Sequence, residues 1–255
     1  MEAALNLELT ERESLILDML AREGTLAVSA LSKTLGVSEV TIRSDLKSLE
    51  EKGFIYRTRG GAYPSFHKDI LERQRLNMEE KNRIARAAAE AVQDGDRIMI
   101  EAGTTTALIV RYLTGRRGVQ IVTNSTLVFS YARLNPALNI ILTGGIFRKE
   151  TESLVGPVAL RAIADFNVRL AFVGTDGFSL ERGMTTQLVE GAEIVKAMRN
   201  QADETWLVAD SSKYGKTGFV SVLPLSEVDG IITDERLDSA ARQRMSEQSI
   251  RFRLA

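Results

Sequence analysis

The stretch DRIMIEAGTTTALIV, residues 96–110, runs from an apolar strand through one glycine into three consecutive threonines and then an amphipathic segment. A strand that closes on Gly-Thr-Thr-Thr and opens a helix gathers unpaired backbone N–H groups, hydroxyls and the positive end of a helix dipole at one spot. Such a spot suits an anion the size of a phosphate. Taken alone, the stretch fits an ordinary strand-to-helix turn with a threonine N-cap equally well.

The flanking pattern repeats the alternation. From residue 81 helical and apolar segments succeed one another: NRIARAAAEAVQDG reads as helix, DRIMIEA as strand, TTALIVRYL as helix, VQIVTN as strand, STLVFSYARL as helix and NIILTGG as strand. The series continues with VRLAFVGTDG as strand, EIVKAMRNQA as helix, TWLVADSSK and VDGIITDE as strands, a helix near 238–247 and a closing IRFRLA. Strands alternating with helices imply βαβ units and a mainly parallel sheet, hence an α/β domain over 81–255. No internal repeat or low-complexity tract interrupts it.

Composition narrows the chemistry. The chain has 255 residues, 44% hydrophobic and 26% charged, with a net charge of -1. That length accommodates a small and a medium domain, each with its own core. No run of about 18 apolar residues suggests a membrane span. The opening MEAALNLELTERES is acidic and lacks the basic region of a secretory signal, so a cytoplasmic location without membrane partner is expected. Zero cysteines exclude disulfides, thiolate metal sites and cysteine nucleophiles, and the single histidine, His67, lies in a polar connecting stretch. No metal or other cofactor is implied.

The first 64 residues read as a separate module. Thr10 followed by Glu13 makes a capping box before Leu15, Ile16, Met19 and Leu20, and Gly24 stops that helix. VSALSKTLG gives a second helix with Ala30, Leu31 and Leu35 apolar and Gly36 at its end. Ser38 caps a third, EVTIRSDLKSLEEKG, whose Ile42, Leu46 and Leu49 form one stripe. FIYRTRGGAY then reads as a β-hairpin wing. In a helix-turn-helix the second helix of the pair enters the major groove with its early residues near base edges. Here that surface offers Ser38, Glu39, Thr41, Arg43 and Ser44. Arg43 suits two hydrogen bonds to a guanine, Thr41 and Ser44 suit phosphates or a thymine methyl, and Lys47, Arg57 and Arg59 suit backbone phosphates. The Gly60-Gly61 pair would let the wing approach a groove closely. A merely solvated charged face on a three-helix bundle is the competing reading, and the turn, stripe and basic wing together favour DNA.

VSALSKTLGVSEVTIRSDLKSLEEKGFIYRTRGGAY resembles the winged helix-turn-helix of the DeoR family of bacterial transcriptional regulators, with Val-Ser-x-x-Thr-Ile-Arg-x-Asp-Leu and the closing Arg-x-x-Gly-Gly both in place. The family often has a second arginine where this chain has Ser44. EKNRIARAAAEAVQDGDRIMIEAGTTT, VTNS, LTGG, VGTDG and VADSSKYG look like the family's sensor domain, a Rossmann-like α/β fold similar to ribose-5-phosphate isomerase. The expected organisation is a winged helix-turn-helix over 9–64, its motif at about 26–45, a linker over 65–80 and the sensor over 81–255.

In an open parallel sheet, ligands bind outside the carboxyl ends of the strands. That edge should gather Gly103, Thr104, Thr105, Thr106, Asn124, Ser125, Gly144, Gly145, Asp176 and Lys213. The loop Gly103 to Thr106 suits a phosphate and Lys213 supplies a point charge, with Arg148 or Lys149 as a second cation. Asp176 and Glu190 or Glu193 suit sugar hydroxyls, although an acid in a first helical turn is as often a dipole partner. Glu101 stands where the family commonly has Asp before the glycine loop. The resemblance implies a sensor that binds a phosphorylated sugar or sugar alcohol without converting it, in a homo-oligomer (dimer or tetramer) that represses a carbohydrate-utilisation operon by binding double-stranded operator DNA. An isomerase-like enzyme with an accessory DNA-binding module is the alternative. A dinucleotide enzyme fits poorly, because EAGTTTA lacks the G-x-G-x-x-G spacing.

Overall fold

Local capping starts the first unit. Thr10 Oγ1 accepts from the Glu13 N–H at 3.2 Å while the Glu13 carboxylate accepts from the Thr10 N–H at 2.7 Å, so the capping box closes at the head of α1 (Glu11–Glu23). The computed structural model describes residues 9–133 and 135–255. The acidic opening through residue 8, and Leu134 at the end of the expected STLVFSYARL helix, lie outside the described residues. Two compact units divide between Leu76 and Asn77.

In the first unit α1 buries Ile16, Leu17 and Leu20, whereas Leu15 is 51% exposed. The apolar stripe is thus centred one residue later than periodicity suggests, because Glu13 also turns inward. β1 (Leu26–Ala27) leads into α2 (Val28–Leu35), which stops at Gly36 in the left-handed region, φ 67°. α3 (Glu39–Glu51) is capped by Ser38 and buries Ile42, Leu46 and Leu49. β2 (Ile55–Arg57) and β3 (Gly61–Pro64) form the antiparallel wing, and β3 also pairs with β1. Where the sequence reads as linker over 65–80, α4 (Lys68–Arg75) forms within the first unit, its Arg75 ion-paired to Asp18 of α1.

Gly61 has a packing role. A Cβ there would stand 2.0 Å from the Leu26 carbonyl oxygen, so only glycine lets β1 and β3 pair. Gly60 has open space around it and is the residue free to approach a groove. Gly61→Ala should cost about 1–3 kcal/mol, because the obstructing atoms are backbone and the strands must separate. Urea unfolding of the two proteins tests this, and an unchanged midpoint contradicts it.

The second unit runs α5 (Met78–Glu90), β4 (Arg97–Ile100), a 3-10 helix (Thr106–Tyr112), β5 (Val119–Thr123), α6 (Thr126–Ala132), β6 (Leu138–Leu142), β7 (Ile146–Arg148), β8 (Ser153–Val155) and α7 (Pro157–Ala164). It continues with β9 (Val168–Val173), β10 (Gly177–Ser179), β11 (Gly183–Thr186), α8 (Val189–Asn200), β12 (Ala202–Val208), β13 (Val220–Ser221), β14 (Gly230–Thr233), α9 (Ser239–Glu247) and β15 (Phe252–Leu254). The main sheet has seven strands in the order β15-β14-β12-β9-β4-β5-β6, every neighbour parallel. Both faces are covered: Met99 and Ala171 pack with Ile163 of α7 and Ile194 and Met198 of α8. Their strand neighbours Ile98, Ile100 and Phe172, also fully buried, point to the other face. β7 pairs with β8, and β11 joins β10 to β13, in two small accessory sheets.

The expected α-helix over TTALIVRYL is a 3-10 helix of seven residues. Its β-branched sequence disfavours the α-form, and the Thr106 hydroxyl donates to the Glu101 carbonyl at 2.7 Å and the Gly103 carbonyl at 3.1 Å, tightening the turn. The dipole of so short a segment is small, so any anion site at the threonines must rest on individual N–H and O–H groups. No helix among the described residues is long and apolar enough to cross a membrane.

Candidate nucleic-acid interface and anion crevice

The exposed side of α3 is held rigid from behind. Arg12 Nε and Nη2 reach the Asp45 carboxylate at 2.6 and 3.0 Å, tying α1 to α3 across the core. Lys52 Nζ reaches both Glu13 oxygens at 2.9 and 2.8 Å. Burial pushes the Glu13 carboxyl up, but hydrogen bonds from Lys52, Ser48 and the Thr10 backbone outweigh it and hold the group below the usual carboxylate range. Lys52, one of the five cations between residues 43 and 59, is therefore committed to the interior of the unit.

What remains outside is compact. Ser38 caps α3 through the Thr41 N–H at 3.2 Å, and its hydroxyl lies 2.9 Å from that of Thr41. Glu39, Arg43, Ser44 and Lys47 are exposed along the helix. Arg43 pairs with Glu39 at 3.2 Å, Lys47 with Glu51 at 3.7 Å and Arg57 with Glu50 at 3.6 Å, while Arg59 at the wing tip has no ion-pair partner among the described residues. Exposed pairs of this kind are worth about 0–1 kcal/mol, so phosphates can displace the carboxylates. Three apolar groups were not singled out from sequence: Val40, 78% exposed beside the α3 N-terminus, and Tyr56 and Tyr63, whose rings stack 5.4 Å apart on the wing. Val40 was readable as an apolar residue out of phase with the Ile42-Leu46-Leu49 stripe, and it suits a thymine methyl.

In the second unit the chain order creates a switch point. β4, β5 and β6 step outward in one direction, and β9 then returns to the other side of β4. Strand order reverses there, and such a reversal opens a crevice at the carboxyl edge. Glu101 at the end of β4 accepts from the Gly174 N–H at the end of β9 at 3.1 Å, buttoning the two strands together.

The loop after β4 is the feature of interest. The Ala102 N–H is used by Asn124 Oδ1 at 3.0 Å, and the Ala107 N–H by the Gly103 carbonyl. The N–H groups of Gly103, Thr104 and Thr105 have no hydrogen-bond partner among the described residues, nor do the hydroxyls of Thr104 and Thr105. Consecutive free N–H groups in a turn form a concavity suited to anions.

The other candidates divide into two sets. Thr106, Asn124 and Ser125 are 0%, 1% and 0% exposed and their polar groups are spent on protein. Asn124 bridges Ala102 to the Leu154 carbonyl, and Ser125 caps α6 through the Val128 N–H. They hold the loop in shape. Gly145 is likewise structural: at φ 120°, its Cβ would meet the Val155 carbonyl oxygen at 2.6 Å. Gly144, at φ 70°, is half-buried, and a Cβ there would make only an ordinary contact with Val158, at 3.7 Å.

Groups facing the edge complete the arrangement. Asp176 Oδ2 accepts from Thr186 Oγ1 and the Gln187 N–H, each at 2.9 Å. Lys213 closes the 3-10 turn Ser211–Lys213 after β12, and its ammonium has no partner among the described residues. β12 lies two strands from β4, about 10 Å across the sheet, and the turn that carries Lys213 follows β12 at the same edge. Arg148 of the β7–β8 hairpin pairs with Glu190 at 2.5 Å. Glu190's own backbone N–H, then Arg148, hold that carboxyl below its ordinary range. Lys149 approaches Glu150 at 4.0 Å instead, and Glu193 sits on α8 one turn beyond Glu190. No group of three or more His, Cys, Asp or Glu able to hold a metal is present among the described residues.

Comparison with known proteins assigns both units. Residues 12–64 match the family model described as the DeoR-like helix-turn-helix domain, and residues 76–235 the model described as the DeoR C terminal sensor domain. The HTH-type transcriptional regulator GlpR of Haloferax volcanii is 35% identical, with 94% of this chain and 95% of that protein covered. The HTH-type transcriptional repressor GlcR of Bacillus subtilis is 35% identical, with 88% of each covered. An HTH-type transcriptional regulator of Haemophilus influenzae is 32% identical over 94% of this chain and 95% of its own length. Among solved structures, ribose 5-phosphate isomerase from Methanocaldococcus jannaschii matches with a TM-score of 0.41 and 20% identity, covering 54% of this chain and 55% of that one.

Proposed function

The chain belongs to the DeoR family of transcriptional regulators, and from that premise we propose that it is a cytoplasmic repressor whose hold on operator DNA is set by a phosphorylated sugar or sugar alcohol. The reading rests on one observation above the others: three consecutive N–H groups, Gly103 to Thr105, have no hydrogen-bond partner among the described residues, at the switch point of a parallel sheet. A phosphate accepts several hydrogen bonds at once and matches such a loop. Lys213, without an ionic partner among the described residues, supplies the countercharge. Asp176, with one carboxylate oxygen already fixed by Thr186 and Gln187, presents the other to sugar hydroxyls. Relatives named as repressors and regulators support the sense of the response.

Relatives named as transcriptional regulators support a site that binds rather than converts. Enediol chemistry needs a general base with a pKa near the working pH. Glu190 is held in the opposite sense, low and locked on Arg148. DNA recognition assigns Arg43 to a base edge and Lys47, Arg57 and Arg59 to phosphates, with Ser38, Glu39, Thr41 and Ser44 completing the surface of α3. Operators read by paired modules call for at least a dimer.

Thermal unfolding against a panel of hexose, pentose, glycerol and inositol phosphates, each beside its unphosphorylated parent, tests the reading. A specific ligand at about 100 times its Kd should stabilise the wild type by about 2.7 kcal/mol. Lys213→Ala should weaken that ligand about 10- to 100-fold, the worth of one charge-assisted hydrogen bond. A broad panel that leaves the wild-type transition unmoved would refute the anion site.

A further inference from the structure

We infer that Asn77 is a positioning residue that couples the effector crevice to the point where the chain enters the sensor unit. The inference rests on the reading that Lys213 holds the effector phosphate. Asn77 is the first residue of the unit and the N-cap of α5, yet its side chain does not cap that helix. Instead Nδ2 donates to Asp210 Oδ1 at 2.8 Å and to Ser212 Oγ at 3.2 Å, and Oδ1 accepts from Arg236 Nη2 at 3.3 Å. A carboxylate on one side and a guanidinium on the other leave the amide one orientation, since the first only accepts and the second only donates.

The grip falls on the turn that carries Lys213. Asp210, 2% exposed, caps that turn through the Ser212 N–H at 3.2 Å and takes the Ser212 hydroxyl at 2.5 Å. Asp234, fully buried, holds the Ser211 N–H at 2.6 Å and its hydroxyl at 2.9 Å, and pairs with Arg236. Ser211–Lys213 is therefore a small rigid body tied to Asn77 directly through Ser212 and Asp210 and indirectly through Arg236. Asn77 itself sits in the left-handed region, φ 54° and ψ 41°, which asparagine adopts more readily than most non-glycine residues. When Lys213 closes on a phosphate, the turn moves as a body, the two bonds to Asn77 change, and the backbone angle at which the chain enters the unit changes with them.

The test uses the full chain, the panel compound with the largest thermal shift as effector, inorganic phosphate as control, and a duplex selected by the wild-type protein from random-sequence DNA. In the wild type the effector should change duplex affinity by a factor within the usual range of about 5 to 150, and the duplex should change effector affinity by the same factor. Asn77→Gly keeps the left-handed backbone and removes the amide. Each separate affinity should stay within about threefold of wild type while the coupling factor falls below about three, on the scale of such couplings. Ser212→Ala, which keeps the Asn77–Asp210 bond and removes the Ser212 hydroxyl from both Asn77 and Asp210, should lose part of the factor. A purely structural Asn77 would lower the melting temperature and leave the factor intact, and that result overturns the inference. Should Asn77→Gly fail to fold, an unchanged factor in Ser212→Ala overturns it instead. A wild type that answers no phosphate removes the effector reading, and this coupling with it.

Discussion

Lys52→Ala should destabilise the helix-turn-helix unit by about 3–5 kcal/mol at neutral pH and abolish DNA binding at physiological temperature, although Lys52 faces the interior. The Lys52 and Glu13 side chains are 12% and 3% exposed, and removing the ammonium leaves a buried carboxylate without its cation. The pH dependence follows from the sign of the Glu13 shift. Its folded pKa lies below the unfolded value, so the pair's contribution is fully present above the unfolded pKa and is lost as pH falls through the folded one. The difference between wild type and Lys52→Ala should therefore be largest at neutral pH and close on acidification below about pH 4.3, the unperturbed glutamate value. Glu13→Gln combined with Lys52→Met should recover most of the loss. Gln still accepts from the Thr10 N–H, and a buried pair replaced as a whole by uncharged side chains is often neutral. Urea unfolding of the three proteins at several pH values decides it: a penalty that persists at low pH would mean packing, not charge, is lost.

That pair also marks the boundary of what sequence discloses. Elements with a local cause were legible: the Thr10 capping box, the Ser38 cap, the glycine stops, and the apolar runs of β4, β5, β6, β9, β12 and β14 that end in small or polar residues. Their common polar edge was legible too, because a parallel sheet aligns every strand's carboxyl end. Non-local pairings were not. Nothing near Lys52 says that it turns inward to a glutamate 39 residues earlier, or that Asp45 answers Arg12 across 33. β7, β8, β10, β11 and β13 span only two to four residues each and carry no periodicity, so they escaped detection. At the carboxyl edge, residue type singled out the candidates and burial divides them into exposed and spent groups. Thr104 and Thr106 look alike in the sequence, yet one is half-buried on the loop and the other fully buried with its hydroxyl spent on Glu101 and Gly103. Asn77 reads as an ordinary residue of a polar stretch, because its partners lie 133 and more residues away.

The commitment of Lys52 sets the electrostatics of DNA binding. Of the five cations between residues 43 and 59, four remain outside, Arg43, Lys47, Arg57 and Arg59. Were all four to meet phosphates, the logarithm of affinity would fall with the logarithm of salt by about 3.6 per protomer, and with Arg43 on a base edge by about 2.7. Between about 50 and 200 mM salt the larger slope amounts to about 150-fold in affinity for each module. Glu39, Glu50 and Glu51 remain beside three of the four cations, so the measured slope should lie below this bound. Arg59, which has no carboxylate partner among the described residues, is the simplest case: Arg59→Ala should lower the slope by about 0.9 and weaken all sequences alike. Arg43→Ala should differ in kind. If its guanidinium reads a guanine, the loss is about 1–3 kcal/mol on the selected duplex and far less on duplexes altered at that base pair. Titrations at several salt concentrations, on the selected duplex and its single-base variants, separate the two. Equal losses on every duplex would move Arg43 to the backbone and leave sequence reading on α3 to Glu39, Val40, Thr41 and Ser44.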